Sequence, residues 1–208
     1  MSRYTGSTCK ICRREREKLI LKGEKCINKC TFDRKRGKNP PGQHATSRAK
    51  KMSDYARHLR EKQKARQIYG LTEEQFHHYF VRADKMKGLT GENLLRLLEL
   101  RLDNVVYRLG FVPSRKMARQ VVGHGNVLLN ERKVNLPGFQ LKPGDKISLK
   151  NKMKENLFVK RSLEAGGRIP SWLALDKQSL TGSVVNVPSS EEFSHPIESQ
   201  LIVELYSK

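Results

Sequence analysis

The segment that decides the fold runs from residue 91 to residue 150 and begins Gly91-Glu92-Asn93-Leu94-Leu95-Arg96-Leu97-Leu98-Glu99-Leu100-Arg101-Leu102-Asp103-Asn104-Val105-Val106-Tyr107-Arg108-Leu109. Apolar side chains fall at positions 94, 95, 98, 102, 105, 106 and 109, which is the spacing of one buried helix face. Gly110 then favours a helix stop. We therefore expect one amphipathic helix over residues 91–109.

A second helix is predicted directly after this one. Pro113 and Ser114 open it, because the Ser114 hydroxyl can accept a hydrogen bond from a free N–H group of the first turn. Arg115 to Val122 forms the helix, and Gly123 ends it.

Short strands follow the two helices. Val127 to Leu129 leads into a turn at Asn130-Glu131, and residues 146–150 alternate in polarity after the turn at 142–145. The segment thus predicts two helices packed on a short antiparallel sheet.

The two helices carry a set of basic side chains. Arg101 and Arg108 lie two turns apart on the first helix, Arg115 and Arg119 lie one turn apart on the second, and Lys116 is beside them. These cations could converge on phosphates, or they could simply solvate the outer face of a helical hairpin.

The charge of the whole chain favours contact of these cations with phosphates. The 208 residues include 42 Lys or Arg against 21 Asp or Glu, for a net charge of +21. The excess is concentrated at the front, where residues 1–70 hold 21 basic and 6 acidic side chains, whereas residues 176–208 hold 2 and 5. Such an excess repels itself in a folded protein, so a polyanionic partner is expected.

Composition also argues against a membrane protein. Hydrophobic residues make up 37% of the chain, and no run of about 18 apolar residues occurs. The first residues lack the apolar core of an export signal. We expect a protein of the reducing cytoplasm.

All four cysteines lie in the first 30 residues, as Cys9-x2-Cys12 and Cys26-x3-Cys30. Two close pairs separated by a loop can direct four sulfurs to one point, which suits a closed, structural tetrahedral metal site. Free thiols and two disulfides are the alternatives. Four thiolates serve zinc and iron–sulfur clusters alike, and zinc is the preferred expectation.

Basic segments surround this cysteine pattern. Residues 32–51 read as an extended cationic loop that includes Arg48, Lys50 and Lys51, and that becomes ordered on phosphates or remains solvated. A helix is predicted from Ser53 to Gly70, with Arg57, Arg60 and Lys64 among its cations; a face this cationic suggests RNA. Another helix, capped at Thr72, is predicted over 72–87.

The last part of the chain changes character. We predict a helix over 158–165, a core position for Trp172, and strands over 183–187 and 201–206. The expected organisation is an N-terminal domain over 1–90, a small module over 91–150, and a helix with a C-terminal tail over 151–208 that docks back on the first domain. The fold class is α+β, with a mostly helical N-terminal domain that carries the four-cysteine site.

Several stretches resemble the bacterial small-subunit ribosomal protein S-four family, and the resemblance runs nearly end to end. They are Arg3-Tyr4-Thr5-Gly6, Pro40-Pro41-Gly42-Gln43-His44, Ser53-Asp54-Tyr55, Leu59-Arg60-Glu61-Lys62-Gln63-Lys64, Thr90-Gly91-Glu92-Asn93-Leu94-Leu95, Arg101-Leu102-Asp103-Asn104-Val105-Val106-Tyr107-Arg108 and Gln200-Leu201-Ile202-Val203-Glu204-Leu205-Tyr206-Ser207-Lys208. The cysteine positions are similar to those of the family's metal-bearing branch.

The resemblance implies a primary binder of the 5′ domain of small-subunit rRNA that helps to begin assembly, and not an enzyme. It implies an RNA-binding module over 91–150. The positions of the module expected to contact rRNA are Arg101, Arg108, Ser114, Arg115, Lys116, Arg119, Gln120 and His124.

The resemblance also implies particular neighbours. Family members lie where mRNA enters the small subunit, beside other small-subunit proteins including S-five, and influence decoding accuracy. Arg48, Lys50 and Lys51 would face the mRNA.

The sequence departs from the family pattern at a few positions. Ala45 replaces a glycine after His44, and Glu131 replaces the glycine of a Val-Asn-Gly turn. If that turn needs positive φ, the glutamate costs on the order of 1 kcal/mol. Gly123 and Asn126 differ from the residues usual around His124.

Two rival classes are disfavoured by what the chain lacks. An RNA-modifying enzyme would need a catalytic domain, and residues outside 91–150 contain no nucleophile motif, phosphate-cradling glycine loop or paired carboxylates, so no small-molecule substrate is expected. A zinc-dependent DNA-binding regulator would need a recognition helix and a dimer seam.

Overall fold

The computed structural model describes residues 4–34, 37–43, 45, 51–166, 169–176, 178–193 and 195–207. The chain divides into two units, one formed by Met1–Gly91 with Pro196–Lys208 and the other by Glu92–His195. The α-helices of the described residues are α1 Thr8–Glu15, α2 Glu24–Asn28, α3 Asp54–Ile68, α4 Glu73–Asp84, α5 Thr90–Glu99, α6 Leu102–Arg108, α7 Arg115–Gly123, α8 Asn151–Lys154, α9 Leu157–Glu164 and α10 Ser199–Tyr206. The strands are β1 Val127–Leu129, β2 Arg132–Val134, β3 Lys146–Leu149, β4 Leu173–Asp176 and β5 Thr181–Val184. No helix among these residues is long and apolar enough to cross a membrane.

The first unit is helical, and its longer helices begin at hydroxyl caps. The Ser53 hydroxyl accepts from the N–H of Ala56 at the start of α3, and the Thr72 hydroxyl accepts from the N–H of Gln75 at the start of α4, each at 3.3 Å. Each cap satisfies an N–H group that has no partner within its own helix. The predicted starts of these helices are confirmed.

The C-terminal segment of the first unit is α10, so the predicted strand over 201–206 is wrong. Leu201, Ile202, Leu205 and Tyr206 recur at helical spacing, and that period decides the structure once α3 and α4 offer an apolar surface. Ile202 is fully buried, and the Tyr206 ring lies 4.5 Å from the Phe80 ring, centroid to centroid.

The second unit packs α6 and α7 against an antiparallel sheet with strand order β2-β1-β3-β5-β4. The mixed helical and antiparallel architecture predicted from the sequence is confirmed. However, β4 and β5 extend the sheet, so residues 173–184 belong to this unit. The sequence-based grouping had placed them in a tail that returns to the N-terminal domain.

The single helix predicted over 91–109 is two helices, α5 and α6, because another part of the chain caps the second one. The backbone N–H groups of Leu102 and Asp103 donate to the carbonyl oxygens of Phe139 and Pro137, at 2.9 and 3.1 Å. Arg101 is extended, with φ −70° and ψ 138°. The loop after β2 thus supplies acceptors that a continuous helix would have taken from its own preceding turn.

The core of the second unit lies between the helices and the inner face of the sheet. Its largest buried side chains include Trp172 and Phe111, at 1% and 0% exposure. The predicted core position of Trp172 is therefore confirmed. The Ser162 hydroxyl of α9 donates to the carbonyl oxygen of Gly110 at 2.7 Å, which holds α9 against the end of α6.

The β1–β2 hairpin turns through Asn130 and Glu131, both with positive φ, at 46° and 68°. Leu129 pairs with Arg132, so the loop has two residues. Positive φ at both loop residues is the geometry that matches the right-handed twist of a hairpin, and glycine is favoured there. Glu131 therefore has the positive φ that strains a residue other than glycine.

Candidate RNA-binding surface and cysteine cluster

Helix α7 presents one polar stripe because its opposite face is buried. The Ser114 hydroxyl caps it, accepting from the N–H of Met117 at 3.3 Å, as its sequence position predicted. Ala118, Val121 and Val122 are buried in the core. The residues exposed on the other side recur every four positions: Lys116, Gln120 and His124.

Lys133 of β2 extends this stripe. Gly125 follows His124 with φ +67°, and a Cβ atom built there would lie 2.3 Å from the Lys133 Cε and 3.2 Å from its Nζ. The lysine side chain therefore lies against the Gly125 backbone, in the space that a Cβ atom would occupy. We call Lys116, Gln120, His124 and Lys133 the α7 surface.

The sequence prediction missed Lys133. A usable signal was present, because the two-residue turn fixes the hairpin register and so pairs Lys133 with Leu128, close to the end of α7.

Arg115, at the start of α7, is half-buried and held in a defined orientation. Its Nε donates to the Asn104 Oδ1 at 2.7 Å, and its guanidinium carbon lies 4.6 Å from the centre of the Tyr107 ring. Its Nη1 is 3.5 Å from the His195 Nε2. Arg119, one turn further along, is also half-buried. A planar guanidinium stacked on an aromatic ring is a group suited to phosphate recognition.

Arg101 and Arg108 do not share an exposed helix face, so that expectation is wrong. Arg101 precedes α6, is 3% exposed, and binds Asp103 through two hydrogen bonds of 3.0 and 2.6 Å. Arg108 donates to the carbonyl oxygen of Glu192, and its Nε lies 3.5 Å from the carboxylate of the fully buried Glu99. Both arginines stabilise the second unit, and their contact with rRNA stays a prediction.

The three cations predicted on α3 also differ in whether an acidic side chain pairs with them. Arg57 is exposed. Arg60 pairs with Glu15 at 3.0 Å, and Lys64 pairs with Glu61 at 2.9 Å. Burial by itself lowers the pKa of Lys64, but its hydrogen bond to Glu61 and the nearby negative charges outweigh this, so the pKa is raised. Of the three, only Arg57 is free of an acidic partner in the described ion pairs.

Only one of the three residues predicted to face mRNA can be placed. Lys51 is exposed, and Arg48 and Lys50 lie outside the described residues.

The four cysteines come together at the front of the first unit. Cys9 and Cys12 lie one turn apart on α1, Cys26 lies on α2, and Cys30 follows it; all four line one small pocket and none forms a disulfide. As the side chains stand, the described residues offer no group of three or more His, Cys, Asp or Glu that could hold a metal ion.

The environment of the sulfurs nevertheless suits a four-thiolate metal centre. The backbone N–H of Lys22 donates to the Cys26 Sγ at 3.3 Å. Burial raises the pKa of Cys12, the other three sulfurs raise it further, and a backbone hydrogen bond from Leu19 opposes them. N–H donors stabilise thiolates, and a cation among mutually repelling thiolates would remove the cost of their charge.

The fold and the α7 surface define a class, an RNA-binding protein built on a small module of helices and an antiparallel sheet. Comparison with known families gives the same class: the Ribosomal protein S4/S9 N-terminal domain matches residues 3–99, and the S4 domain matches residues 100–147.

Relatives match over the full length of both chains. The chain is 61% identical to small ribosomal subunit protein uS4 of Endomicrobium trichonymphae, 55% to that of Geotalea daltonii and 50% to that of Natranaerobius thermophilus, in each case covering 100% of both sequences. The chain belongs to the family of small ribosomal subunit protein uS4. The resemblance drawn from the sequence is confirmed, and the relatives' names agree with the expectation of a non-enzymatic protein.

Proposed function

We propose that the chain is a structural component of the small ribosomal subunit, that it binds rRNA, and that it is located in the ribosomes of the cytoplasm. The observation that carries this proposal is the α7 surface, where exposed polar and basic side chains recur along a capped helix and continue onto Lys133. Family membership and the net charge of +21 support it. Contacts with phosphates supply most of the affinity of such a protein, and RNA shape supplies the selectivity.

The more specific proposal is that the chain is a primary binder of the 5′ domain and nucleates assembly there. Each unit carries exposed cations of its own, Arg57 in the first and Lys116 and Lys133 in the second. Two units that grip different RNA helices would fix the angle between those helices. A junction held at a fixed angle is a substrate on which later proteins can assemble.

The proposed neighbours follow from the family. Lys51, with Arg48 and Lys50, would face mRNA where it enters the subunit, and the protein S-five would lie alongside. Through these contacts the chain would influence decoding accuracy.

Cys9, Cys12, Cys26 and Cys30 would hold one metal, zinc in preference to an iron–sulfur cluster. A bound metal would cross-link α1, α2 and the chain that follows them. This region is too small to form a core of its own, so the metal would stabilise it. Metal analysis of the purified protein tests this: one zinc per chain supports the site, whereas a metal-free protein with four titratable thiols contradicts it.

Binding to separate domains of small-subunit rRNA tests the main proposal. Transcripts of the 5′ domain and of another domain of similar length are titrated with the full chain in the same buffer. We expect tighter binding to the 5′ domain by at least tenfold, since specific complexes exceed non-specific phosphate binding. Equal affinity for the two transcripts would contradict primary binding to the 5′ domain.

A further inference from the structure

We propose that Asn104, itself oriented by Glu99, is a positioning residue that fixes the Arg115 guanidinium for contact with an RNA phosphate. This inference rests on the proposed rRNA binding and identifies how one side chain of that site is prepared in advance.

The orientation of the Asn104 amide is determined by its surroundings. Asn104 is 1% exposed and Glu99 is fully buried. The Asn104 Nδ2 donates to the Glu99 carboxylate at 2.7 Å and to the Glu99 carbonyl oxygen at 2.9 Å. Both partners are acceptors, so the amide nitrogen must face them and the Oδ1 must face the other way.

That other side is where Arg115 lies. The Arg115 Nε donates to the Asn104 Oδ1 at 2.7 Å, and an amide turned round would place an N–H group against it. The Tyr107 ring, 4.6 Å from the guanidinium carbon, supports one face of the same group. An edge contact and a face contact together set the plane of the guanidinium.

The arrangement gives the buried Glu99 carboxylate a structural role. Its charge is balanced by the Arg108 Nε at 3.5 Å. An apolar residue at position 99 could fill the space, but it would leave the Asn104 amide with only the backbone carbonyl oxygen of residue 99 as an acceptor. Arg115 thus donates to the end of a chain of polar groups, because its Nε donates to Asn104 and Asn104 donates to the buried Glu99.

The functional gain is preorganisation. A long flexible side chain loses rotamer freedom when it binds, and a guanidinium already fixed by Asn104 and Tyr107 loses less of it on contact with phosphate. The arginine would therefore contribute to affinity beyond the contribution of its charge.

A double-mutant cycle on binding to a 5′ domain transcript tests this. Arg115→Ala is expected to weaken binding about tenfold and to reduce the slope of log affinity against log salt by about one. Asn104→Ala is expected to weaken binding about threefold in the native chain and to have no further effect in the Arg115→Ala chain, since coupled residues are not additive.

Two controls separate positioning from general damage. Asn93, also buried in this unit at 1% exposure, is a matched site: Asn93→Ala tests the loss of a buried asparagine and should leave the affinity of the folded protein unchanged. Far-UV circular dichroism establishes that each variant is folded.

The outcomes are distinct. If Asn104→Ala weakens binding equally with and without Arg115, or if Arg115→Ala binds as the native chain does, the positioning role is overturned; the native chain's preference for the 5′ domain in the same titration shows whether the proposed function itself still holds. Arg115→Lys provides a test that does not depend on the folding of Asn104→Ala. Lysine keeps the charge but lacks the planar fork, so we expect binding nearly as weak as with Arg115→Ala, and native-like binding would overturn the inference.

Discussion

Replacing Glu131 with glycine should stabilise the protein. Glu131 sits at φ +68° in the two-residue loop between β1 and β2. The left-handed region costs an ordinary L-residue roughly 1–2 kcal/mol, and glycine adopts it without that penalty. Glycine in turn costs about 0.4–1 kcal/mol through the greater freedom of the unfolded chain. The expected net gain in the free energy of unfolding of Glu131→Gly is therefore about 0.5–1 kcal/mol.

The turn should keep its conformation in the variant, so this difference applies to the folded state. The Asn130 Nδ2 donates to the Asp145 carboxylate at 2.9 Å, and the Lys146 N–H donates to the Asn130 Oδ1 at 2.9 Å. Both bonds are made by the Asn130 side chain and do not involve the side chain of Glu131.

Urea denaturation of the full chain, followed by circular dichroism, measures the change. Glu131→Ala is the matched control, because it removes the carboxylate but keeps a Cβ atom and hence the strain. The gain should appear in Glu131→Gly and not in Glu131→Ala. Equal stability of the two variants would show that the left-handed conformation carries no cost at this site, and the reasoning would fail.

Three further predictions concern the proposed metal site, acid stability and helix capping. Removal of metal from the purified protein by a chelator should lower its thermal midpoint, and readdition of zinc should restore it; a midpoint that does not move would count against a structural site. The Glu73 carboxylate accepts hydrogen bonds from Lys62 and from the Tyr206 hydroxyl, and although burial alone raises its pKa, these bonds outweigh burial and lower it. Its stabilisation should be complete above the ordinary glutamate pKa of about 4.3 and be lost as the pH falls through the lower folded value, so thermal melts of Glu73→Gln should lose less stability than the native chain over that interval. Ser114→Ala should lower the free energy of unfolding by about 1 kcal/mol in urea denaturation, because it removes the cap of α7; an unchanged value would show that the cap contributes nothing.

The features that were predictable from the sequence depend on local interactions. The caps at Ser53, Thr72 and Ser114 act on N–H groups within the next three residues, so their sequence context is sufficient. The closeness of Cys9 to Cys12 and of Cys26 to Cys30 also follows from short spacings, and a shared metal site stays a prediction.

The features that were missed depend on distant parts of the chain. The break between α5 and α6 exists because carbonyl oxygens of Pro137 and Phe139, more than thirty residues later, cap α6. The C-terminal segment is a helix because Phe76 and Phe80 provide a surface for Tyr206. Periodicity within one segment contains no information on such partners.

The candidate RNA-binding residues also divide into those set by local spacing and those set by distant parts of the chain. Lys116, Gln120 and His124 share an exposed face because helical spacing alone requires it. Arg101 and Arg108 were predicted on one face as well, but buried carboxylates and a carbonyl oxygen of the folded unit engage them instead. Sequence identifies a cation, and only the fold shows whether that cation is already neutralised.

The most direct test of the central claim is the salt dependence of binding to the 5′ domain transcript when cations are removed from the α7 surface. The variant Lys116→Ala with Lys133→Ala loses two of them, and the slope of log affinity against log salt should fall by about two. A matched control removes Lys152 and Lys160, exposed lysines of α8 and α9, and so makes the same change in net charge. We predict a reduced slope for the first variant and a native slope for the control. Equal slopes for both variants and the native chain would contradict rRNA binding through the α7 surface.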